Sequence, residues 1–206
     1  MSGMSDAHEE IAVANLPTRY GDFKVYGFSA GIVNAEHVAL VKGAVRGRDR
    51  VVVRIHSECL TGDVLGSRRC DCRAQLESSL AMIEKTGSGV LIYLRQEGRG
   101  IGLFNKIKAY HLQELGRDTV EANLELGFAD DGRTYHEAAR LIRLLGVRSV
   151  RVITNNLAKI EGLRQEGILV EGRIPLITEP DEHNARYLET KAEKLGHLLG
   201  PDVTVR

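Results

Sequence analysis

The three cysteines of this chain all lie in one short segment, residues 59–72, with the sequence CLTGDVLGSRRCDC. This clustering constrains the fold, because the chain must bring the three sulfur atoms together if they act as a group. Three thiolates leave one position of a tetrahedral zinc ion open, which is typical of a catalytic rather than a structural site. Sulfur ligands also favour zinc over harder metal ions. The pattern therefore predicts a zinc site formed by Cys59, Cys70 and Cys72.

Two other interpretations of the cysteines remain open. A disulfide is disfavoured, because Cys70 and Cys72 are too close in sequence to pair comfortably and an odd number leaves one thiol over. Three buried, unreactive cysteines are the other alternative. Charged neighbours such as Asp63, Asp71 and Arg73 fit a buried apolar segment poorly.

Composition excludes several classes of protein. The chain has 206 residues with 28 basic and 28 acidic side chains, so it has no overall field to attract nucleic acid or an anionic membrane. No apolar run approaches the roughly 18 residues that a membrane-spanning helix needs, and the polar start MSGMSDAHEE is unlike a signal peptide. We therefore expect a cytoplasmic protein with reduced thiols and with no nucleic-acid or membrane partner.

Hydrophobic periodicity predicts an α/β fold. Short runs typical of β-strands occur at residues 23–28, 37–41, 51–55, 90–94 and 150–154. Helical spacing that ends near glycines predicts helices at residues 76–86, 103–115, 135–145, 159–166 and 187–199. We expect a mixed sheet flanked by helices with an antiparallel N-terminal β part. It would form a single domain over residues 11–200, between a flexible N-terminal tail at 1–10 and a C-terminal tail at 201–206.

A glycine-rich segment, RQEGRGIG at residues 95–102, lies between a predicted strand and a predicted helix. Its glycines let backbone N–H groups approach a ligand, and the helix N-terminus adds partial positive charge. Residues 95–108 hold four basic side chains and one acid, which suggests phosphate binding. The segment matches neither the dinucleotide fingerprint nor the P-loop. An ordinary glycine turn remains the alternative.

Taken together, these segments closely resemble the GTP cyclohydrolase II family. The resemblance is carried by RIHSECLTGDVLGSRRCDCRAQLE, LRQEGRGIGLFNKIKAYHLQELGRDTVEAN, LGFADDGRTY and TNNLAK, and it covers most of the chain. It implies hydrolysis of GTP to 2,5-diamino-6-(5-phosphoribosylamino)pyrimidin-4-one with release of formate and pyrophosphate, the first step of riboflavin biosynthesis. It also implies one Zn²⁺ per subunit, Mg²⁺ bound with the triphosphate, and a homodimer. Bifunctional members carry a second, dihydroxybutanone phosphate synthase half, for which we expect no room here.

The resemblance also implies roles for individual residues. The three cysteines match the zinc ligands of the family. Asp131 matches the proposed proton acceptor, Arg133 the residue proposed to attack the α-phosphate, and Tyr110 a tyrosine that positions the reacting water. The positions that match GTP-binding residues are Arg54, Ile55, His56, Ser57, Glu58, Gln75, Glu97, Gly98, Arg99, Thr119, Thr154 and Lys159.

The implied chemistry fits these residue types. Release of C8 of guanine as formate needs an activated water, which zinc with an open position supplies. Three thiolates leave a zinc complex with a formal negative charge, so its water is less acidic than with neutral imidazole ligands. We therefore expect help from Glu58, Tyr110 or Asp131. Because a guanidinium stays protonated, Arg133 is equally well interpreted as a stabiliser of the transferring phosphoryl group.

Three positions depart from the family pattern: Arg69, Arg73 and Leu157 stand where an apolar residue, glycine and proline are usual. None of these changes removes a functional group. Two other functions therefore stay open, the same chemistry serving another GTP-derived metabolite and a catalytically silent GTP-binding regulatory protein. The complete set of cysteines, with Asp131 and Arg133, argues against the second.

Overall fold

The computed structural model describes residues 10–29, 36–129 and 132–178, together with residues 182, 184 and 198. The described residues form a seven-stranded sheet. Its strands are β1 (Glu10–Thr18), β2 (Gly21–Ser29), β3 (His37–Lys42), β4 (Val51–Ser57), β5 (Gly89–Leu94), β6 (Ser149–Ile153) and β7 (Leu169–Ile174).

The sheet combines an antiparallel half with a parallel half. The strand order is β1-β2-β3-β5-β4-β6-β7. Strands β1, β2, β3 and β5 pair antiparallel, whereas β5, β4, β6 and β7 pair parallel. The predicted mixed sheet with an antiparallel N-terminal part is therefore confirmed.

In the described part of the chain, five α-helices connect or follow the strands. They are α1 (Cys72–Thr86), α2 (Gly102–Glu114), α3 (Thr119–Glu125), α4 (His136–Leu144) and α5 (Leu157–Gln165). Glycine ends α1 as predicted, because Gly87 adopts φ 76° and its N–H donates to the carbonyls of Ile83 and Glu84. Asp118 caps α3 in a reciprocal capping box with Glu121.

Helices cover both faces of the sheet. On one face, Val53 and Ile55 of β4 pack with Leu141 of α4 and Leu163 of α5 in the larger core cluster. On the other face, Val52 packs in a second cluster that includes Leu80 and Ile83 of α1. Burial of both faces explains why β4 reads as a nearly continuous apolar run.

The predicted elements that fall on described residues correspond to strands β2 to β6 and to helices α1, α2, α4 and α5. The sequence pattern did not predict β1, β7 or α3. Strand β1 is an edge strand that contains Pro17 and leaves Ile11 and Val13 exposed, so its apolar alternation is weak. The predicted helix at 187–199 lies outside the described residues, apart from residue 198. The domain limits and both tails stay predictions.

None of the helices in the described part of the chain combines the length and the hydropathy needed to cross a bilayer.

Candidate active site

The parallel strands β4, β5 and β6 end at the same edge of the sheet. The chain continues from these ends through Glu58, Arg95 and Thr154, and a cavity lies beside the ends of β4 and β6 and the start of α2. In open α/β sheets, ligands bind in the crevice outside the carboxyl ends of the strands. Sheet topology therefore joins segments that are distant in sequence.

Most of the predicted site residues line this cavity. They are Arg54, His56, Ser57, Glu58, Cys59, Cys70, Cys72, Gln75, Gly98, Arg99, Tyr110, Thr119, Arg133, Thr154 and Lys159. Ile55 and Glu97 are not among the described lining residues. The side chain of Ile55, on β4, packs in the larger core cluster, and Glu97 faces the turn after Cys59. Asp131 lies outside the described residues. The role assigned to each of these residues stays a prediction.

Cys59, Cys70 and Cys72 form one compact group, the sulfur cluster. Their Sγ atoms all lie within 4.8 Å of one another. Cys59 and Cys70 are 3.6 Å apart, far longer than the disulfide bond of about 2.05 Å. All three are free thiols, with Cys59 buried and the other two half-buried. The disulfide interpretation is therefore wrong, and the cluster can hold a metal ion.

The backbone around the sulfur cluster is closely fitted to it. A π-helical turn, Leu60–Val64, follows Cys59, and α1 begins at Cys72. A Cβ atom on Gly62 would lie 2.8 Å from the Sγ of Cys70 and 3.1 Å from that of Cys59. Gly62 is not among the glycines with positive φ, so space rather than backbone conformation requires a glycine here. This close backbone and the all-sulfur donor set fit a metal that prefers thiolates.

The protonation of the cluster is asymmetric. Hydrogen bonds from the Cys70 and Cys72 thiols, with further help from the Lys106 ammonium, hold the pKa of Cys59 far below its ordinary value. The hydrogen bond to Cys59 raises the pKa of Cys70 to about 11, and the pKa of Cys72 is raised by the same contacts and by burial. These shifts favour the thiolate at Cys59 over the other two cysteines, and metal binding would release the protons that remain on the cluster.

A buried carboxylate, Asp63, anchors the turn that carries Cys59. Its Oδ2 atom accepts hydrogen bonds from the Cys59 backbone N–H at 3.0 Å and from the Tyr93 hydroxyl at 2.8 Å. His56 Nε2 donates to the same carboxylate at 3.0 Å. Burial lowers the pKa of His56, so the ring is neutral and Nδ1 carries a lone pair. Within the described residues, this buried Nδ1 has no hydrogen-bond partner.

A second buried carboxylate, Glu97, joins the glycine-rich segment to the sulfur cluster. Its Oε2 accepts from the Leu60 N–H at 2.6 Å, and its Oε1 accepts from the Gly98 N–H at 2.9 Å and from Lys106 Nζ at 2.7 Å. Lys106 Nζ also donates to Cys59 Sγ at 3.1 Å. The basic residues of this window therefore do not act together. Lys106 contacts Cys59 and Glu97, whereas the exposed Lys108 lies over the Phe104 ring.

Two cations, Arg54 and Lys159, are buried beside the cavity. Arg54 donates to the Ile153 carbonyl at 3.0 Å and to Gln75 Oε1 at 2.6 Å, and Lys159 donates to the Ile55 carbonyl at 2.8 Å. Burial lowers the pKa of Arg54 to about 10, which leaves it charged at neutral pH. Within the described residues, the buried Arg54 Nε has no hydrogen-bond partner, and a buried polar group of this kind favours a ligand that can accept its hydrogen bond.

The glycine-rich segment also positions Arg133. Gly98, Arg99 and Gly100 all have positive φ angles, of 61°, 61° and 94°, and the Arg99 carbonyl accepts a hydrogen bond from the Gly132 N–H at 3.1 Å. A Cβ atom on Gly100 would lie 3.1 Å from the Gly132 carbonyl oxygen. Glycine at position 100 therefore lets the chain before Arg133 approach the loop, and both Arg99 and Arg133 line the cavity.

Tyr110 is linked to the sulfur cluster through Thr61. The two hydroxyl groups are 3.0 Å apart, and Thr61 Oγ1 is 3.7 Å from Cys59 Sγ. Arg69 is one of the departures from the family pattern. Its Cζ atom lies 4.9 Å from the centre of the Tyr110 ring, and its guanidinium donates a hydrogen bond to the Tyr110 backbone carbonyl. Arg69 thus packs on Tyr110 and lines the cavity. Of the other departures, Arg73 pairs with Glu77 along α1, and Leu157 is the exposed first residue of α5.

Comparison with known proteins places the chain in a family. Residues 9–175 match the GTP cyclohydrolase II family. The chain is 57% identical to riboflavin biosynthesis protein RibBA of Bacillus subtilis over 185 residues, which is 89% of this chain and 46% of that protein. It is 53% identical to RibBA of Synechocystis sp., covering 91% of this chain and 34% of that protein.

A third relative is the probable monofunctional riboflavin biosynthesis protein RIBA 3, chloroplastic, of Oryza sativa subsp. japonica, with 51% identity over 95% of this chain and 37% of that protein. The chain thus spans less than half the length of these three relatives. It belongs to the GTP cyclohydrolase II family, which confirms the resemblance seen in the sequence.

Three residues at this site were not singled out for their roles by the sequence. Asp63 and Tyr93 hold His56 and the Cys59 backbone, and Lys106 contacts a predicted metal ligand. A signal for Asp63 was present, since it is an acid between two cysteines. Tyr93 and Lys106 approach the cluster only through the tertiary fold.

Proposed function

We propose that this protein is a zinc-dependent GTP cyclohydrolase II. It would hydrolyse GTP to 2,5-diamino-6-(5-phosphoribosylamino)pyrimidin-4-one, formate and pyrophosphate, as the first step of riboflavin biosynthesis. The observation that carries the proposal is that the sulfur cluster and the buried cations line one cavity. Membership of the family supplies the reaction that needs both groups.

The cationic residues would bind the triphosphate. Arg54 and Lys159 are buried against the cavity, and Arg99 and Arg133 enter it from the glycine-rich segment and its neighbour. Guanidinium groups bind phosphate oxygens through paired hydrogen bonds, and Mg²⁺ would bridge the phosphates. In this arrangement Arg133 stabilises the transferring phosphoryl group or attacks the α-phosphate.

Neutral polar groups of the cavity would orient the base and ribose. His56 lines the cavity, and the Asp63 carboxylate fixes its ring through Nε2. Gln75 is fixed between Arg54 and Asp71, and Thr119 and Thr154 also line the cavity. Hydrogen bonds from such preset groups favour one orientation of the ligand.

The sulfur cluster would hold Zn²⁺, which when bound supplies a Lewis acid for the hydrolysis that opens the guanine ring. Tyr110 lies beside the cluster through Thr61 and would position the reacting water by a hydrogen bond. Burial raises the pKa of Glu58, which makes this carboxylate, with Asp131, a candidate proton acceptor.

The remaining assignments are parts of the same proposal. The catalytic unit would be a single domain over residues 11–200 with short tails on both sides. The protein would be cytoplasmic and would work as a homodimer, without nucleic acid or membrane as partner.

A turnover assay tests the proposed function. Purified, zinc-loaded protein is incubated with GTP and Mg²⁺, and formate, pyrophosphate and the pyrimidine product are quantified by mass spectrometry. We expect all three in equal amounts. Pyrophosphate without formate would contradict ring opening at the sulfur cluster. GTP binding without any product would replace the proposal with a regulatory function.

A further inference from the structure

Lys106 contacts the sulfur cluster directly. Its Nζ atom is 3.1 Å from Cys59 Sγ and 2.7 Å from Glu97 Oε1. The Lys106 side chain is 12% exposed and that of Glu97 8%. Two of the three N–H donors of the ammonium are thus committed to Cys59 and Glu97, in surroundings that screen charge weakly.

Glu97 holds this ammonium in place. Its carboxylate also accepts the N–H groups of Leu60 and Gly98, so one oxygen is fixed to the turn after Cys59 and the other to the glycine-rich segment. Leu60 directly follows Cys59 in the sequence. One carboxylate therefore fixes both the turn that carries the thiolate and the cation that faces it.

Charge explains what this contact can do. Three thiolates around a divalent metal give a net negative group, and electron donation from sulfur weakens the metal as a Lewis acid. Partners in the outer shell of a metal site tune it through hydrogen bonds to the ligands. An ammonium that donates to a ligand sulfur withdraws charge from it, since charge-assisted hydrogen bonds are the strong ones.

We infer that Lys106 is a positioning residue of the metal site, which offsets the charge of the Cys59 thiolate while Glu97 fixes its position. This inference rests on the metal-dependent function proposed above. The chain thereby compensates for an all-thiolate ligand set with a cation from α2, a helix that contributes no cysteine. Loss of Lys106 would lower kcat for ring opening and leave KM for GTP nearly unchanged.

The test uses Co²⁺ in place of zinc, because cobalt thiolates absorb through sulfur-to-metal charge transfer. A positive donor on sulfur raises the energy of this band. Lys106→Met should therefore move the band to longer wavelength. Lys106→Arg, which keeps a charged donor, should restore most of the shift.

Lys108→Met is the matched control, because it removes the same charge from the same helix at an exposed position outside the cavity. In the Co²⁺ complex of Lys108→Met, the charge-transfer band should lie at the same wavelength as in the unmodified protein. If Lys106→Met does not fold by circular dichroism, Lys106→Gln supplies the neutral side chain instead. An unshifted band in the folded neutral variant, or an equal shift in Lys108→Met, would overturn the role of Lys106. Absence of a charge-transfer band in the unmodified protein would instead overturn the metal site of the proposed function.

Discussion

The sulfur cluster and the two buried cations line the same cavity, yet they are held in opposite ways. The anionic Cys59 thiolate is met by a charged group, Lys106, which Glu97 in turn fixes. Arg54 and Lys159 instead donate to neutral oxygens, namely the Ile153 and Ile55 carbonyls and the Gln75 amide. Neutral acceptors fix the geometry of a cation without cancelling its charge.

This difference separates two tasks. A metal site must hold its ligands at fixed distances and limit their negative charge before any substrate arrives. A phosphate site must present preset donors to the substrate, and Arg54 is held in place by neutral acceptors while its Nε has no hydrogen-bond partner among the described residues. The two groups should therefore fail independently when they are mutated.

The largest effect is expected for Cys70→Ser. A serine hydroxyl is a poor ligand for a metal that prefers sulfur, so the variant should lose most bound zinc and at least about 100-fold in formate release. Metal analysis and a formate assay on the same sample measure this. Full activity in a variant verified to be zinc-free would end the metal-site interpretation.

Arg54→Met tests the buried cations. It removes a buried charge without touching the sulfur cluster, so kcat/KM for GTP should fall about 10- to 100-fold, in line with the loss of charge-assisted hydrogen bonds. The zinc content should stay at the level of the unmodified protein. A parallel loss of zinc would show that the two groups are not independent.

Asp63→Asn tests how far the turn after Cys59 depends on charge. An amide presents N–H₂ where the carboxylate accepts hydrogen bonds from His56, Tyr93 and the Cys59 N–H. We expect zinc affinity to fall about 10-fold and the free energy of unfolding of the metal-free protein to fall by about 1–3 kcal/mol. Chelator competition and denaturant titration measure these two quantities. Unchanged zinc affinity would contradict the anchoring role of Asp63.

Tyr110→Phe should give the smallest effect. It removes one hydroxyl next to Thr61 and leaves the ring beneath Arg69, so ring opening should slow about 10-fold, the equivalent of one hydrogen bond. Pyrophosphate release should slow less. Equal losses in the two product assays would contradict the placement of Tyr110 beside the metal.

The sequence predicted best what depends on neighbours in the chain. The spacing of Cys59, Cys70 and Cys72 is local, and one turn and one helix start bring the sulfurs together. Strand β4 begins with three consecutive valines, and β5 is mostly apolar and buried. The position of Thr154 at a strand end followed from the rule for parallel sheets.

What the sequence missed depends on contacts between distant segments. Lys106 appeared as one of four cations of a phosphate-binding window, because its partner Cys59 is 47 residues away. Glu97 was matched to a GTP-binding position, which stays a prediction, but its hydrogen bonds to the Leu60 N–H and to Lys106 were not foreseen. Sequence pattern gives the charge of such residues but not their partners, which the packing of α2 against the turn decides.

The small space at Gly62 predicts which residues related chains can carry at this position. Its backbone conformation would accept any L-residue, but a methyl group there would collide with two sulfur atoms. Selection at this position therefore acts on volume alone, and only for as long as three sulfurs occupy the space above it. In a distant relative that has lost its cysteines, we therefore expect a larger residue to be tolerated at this position.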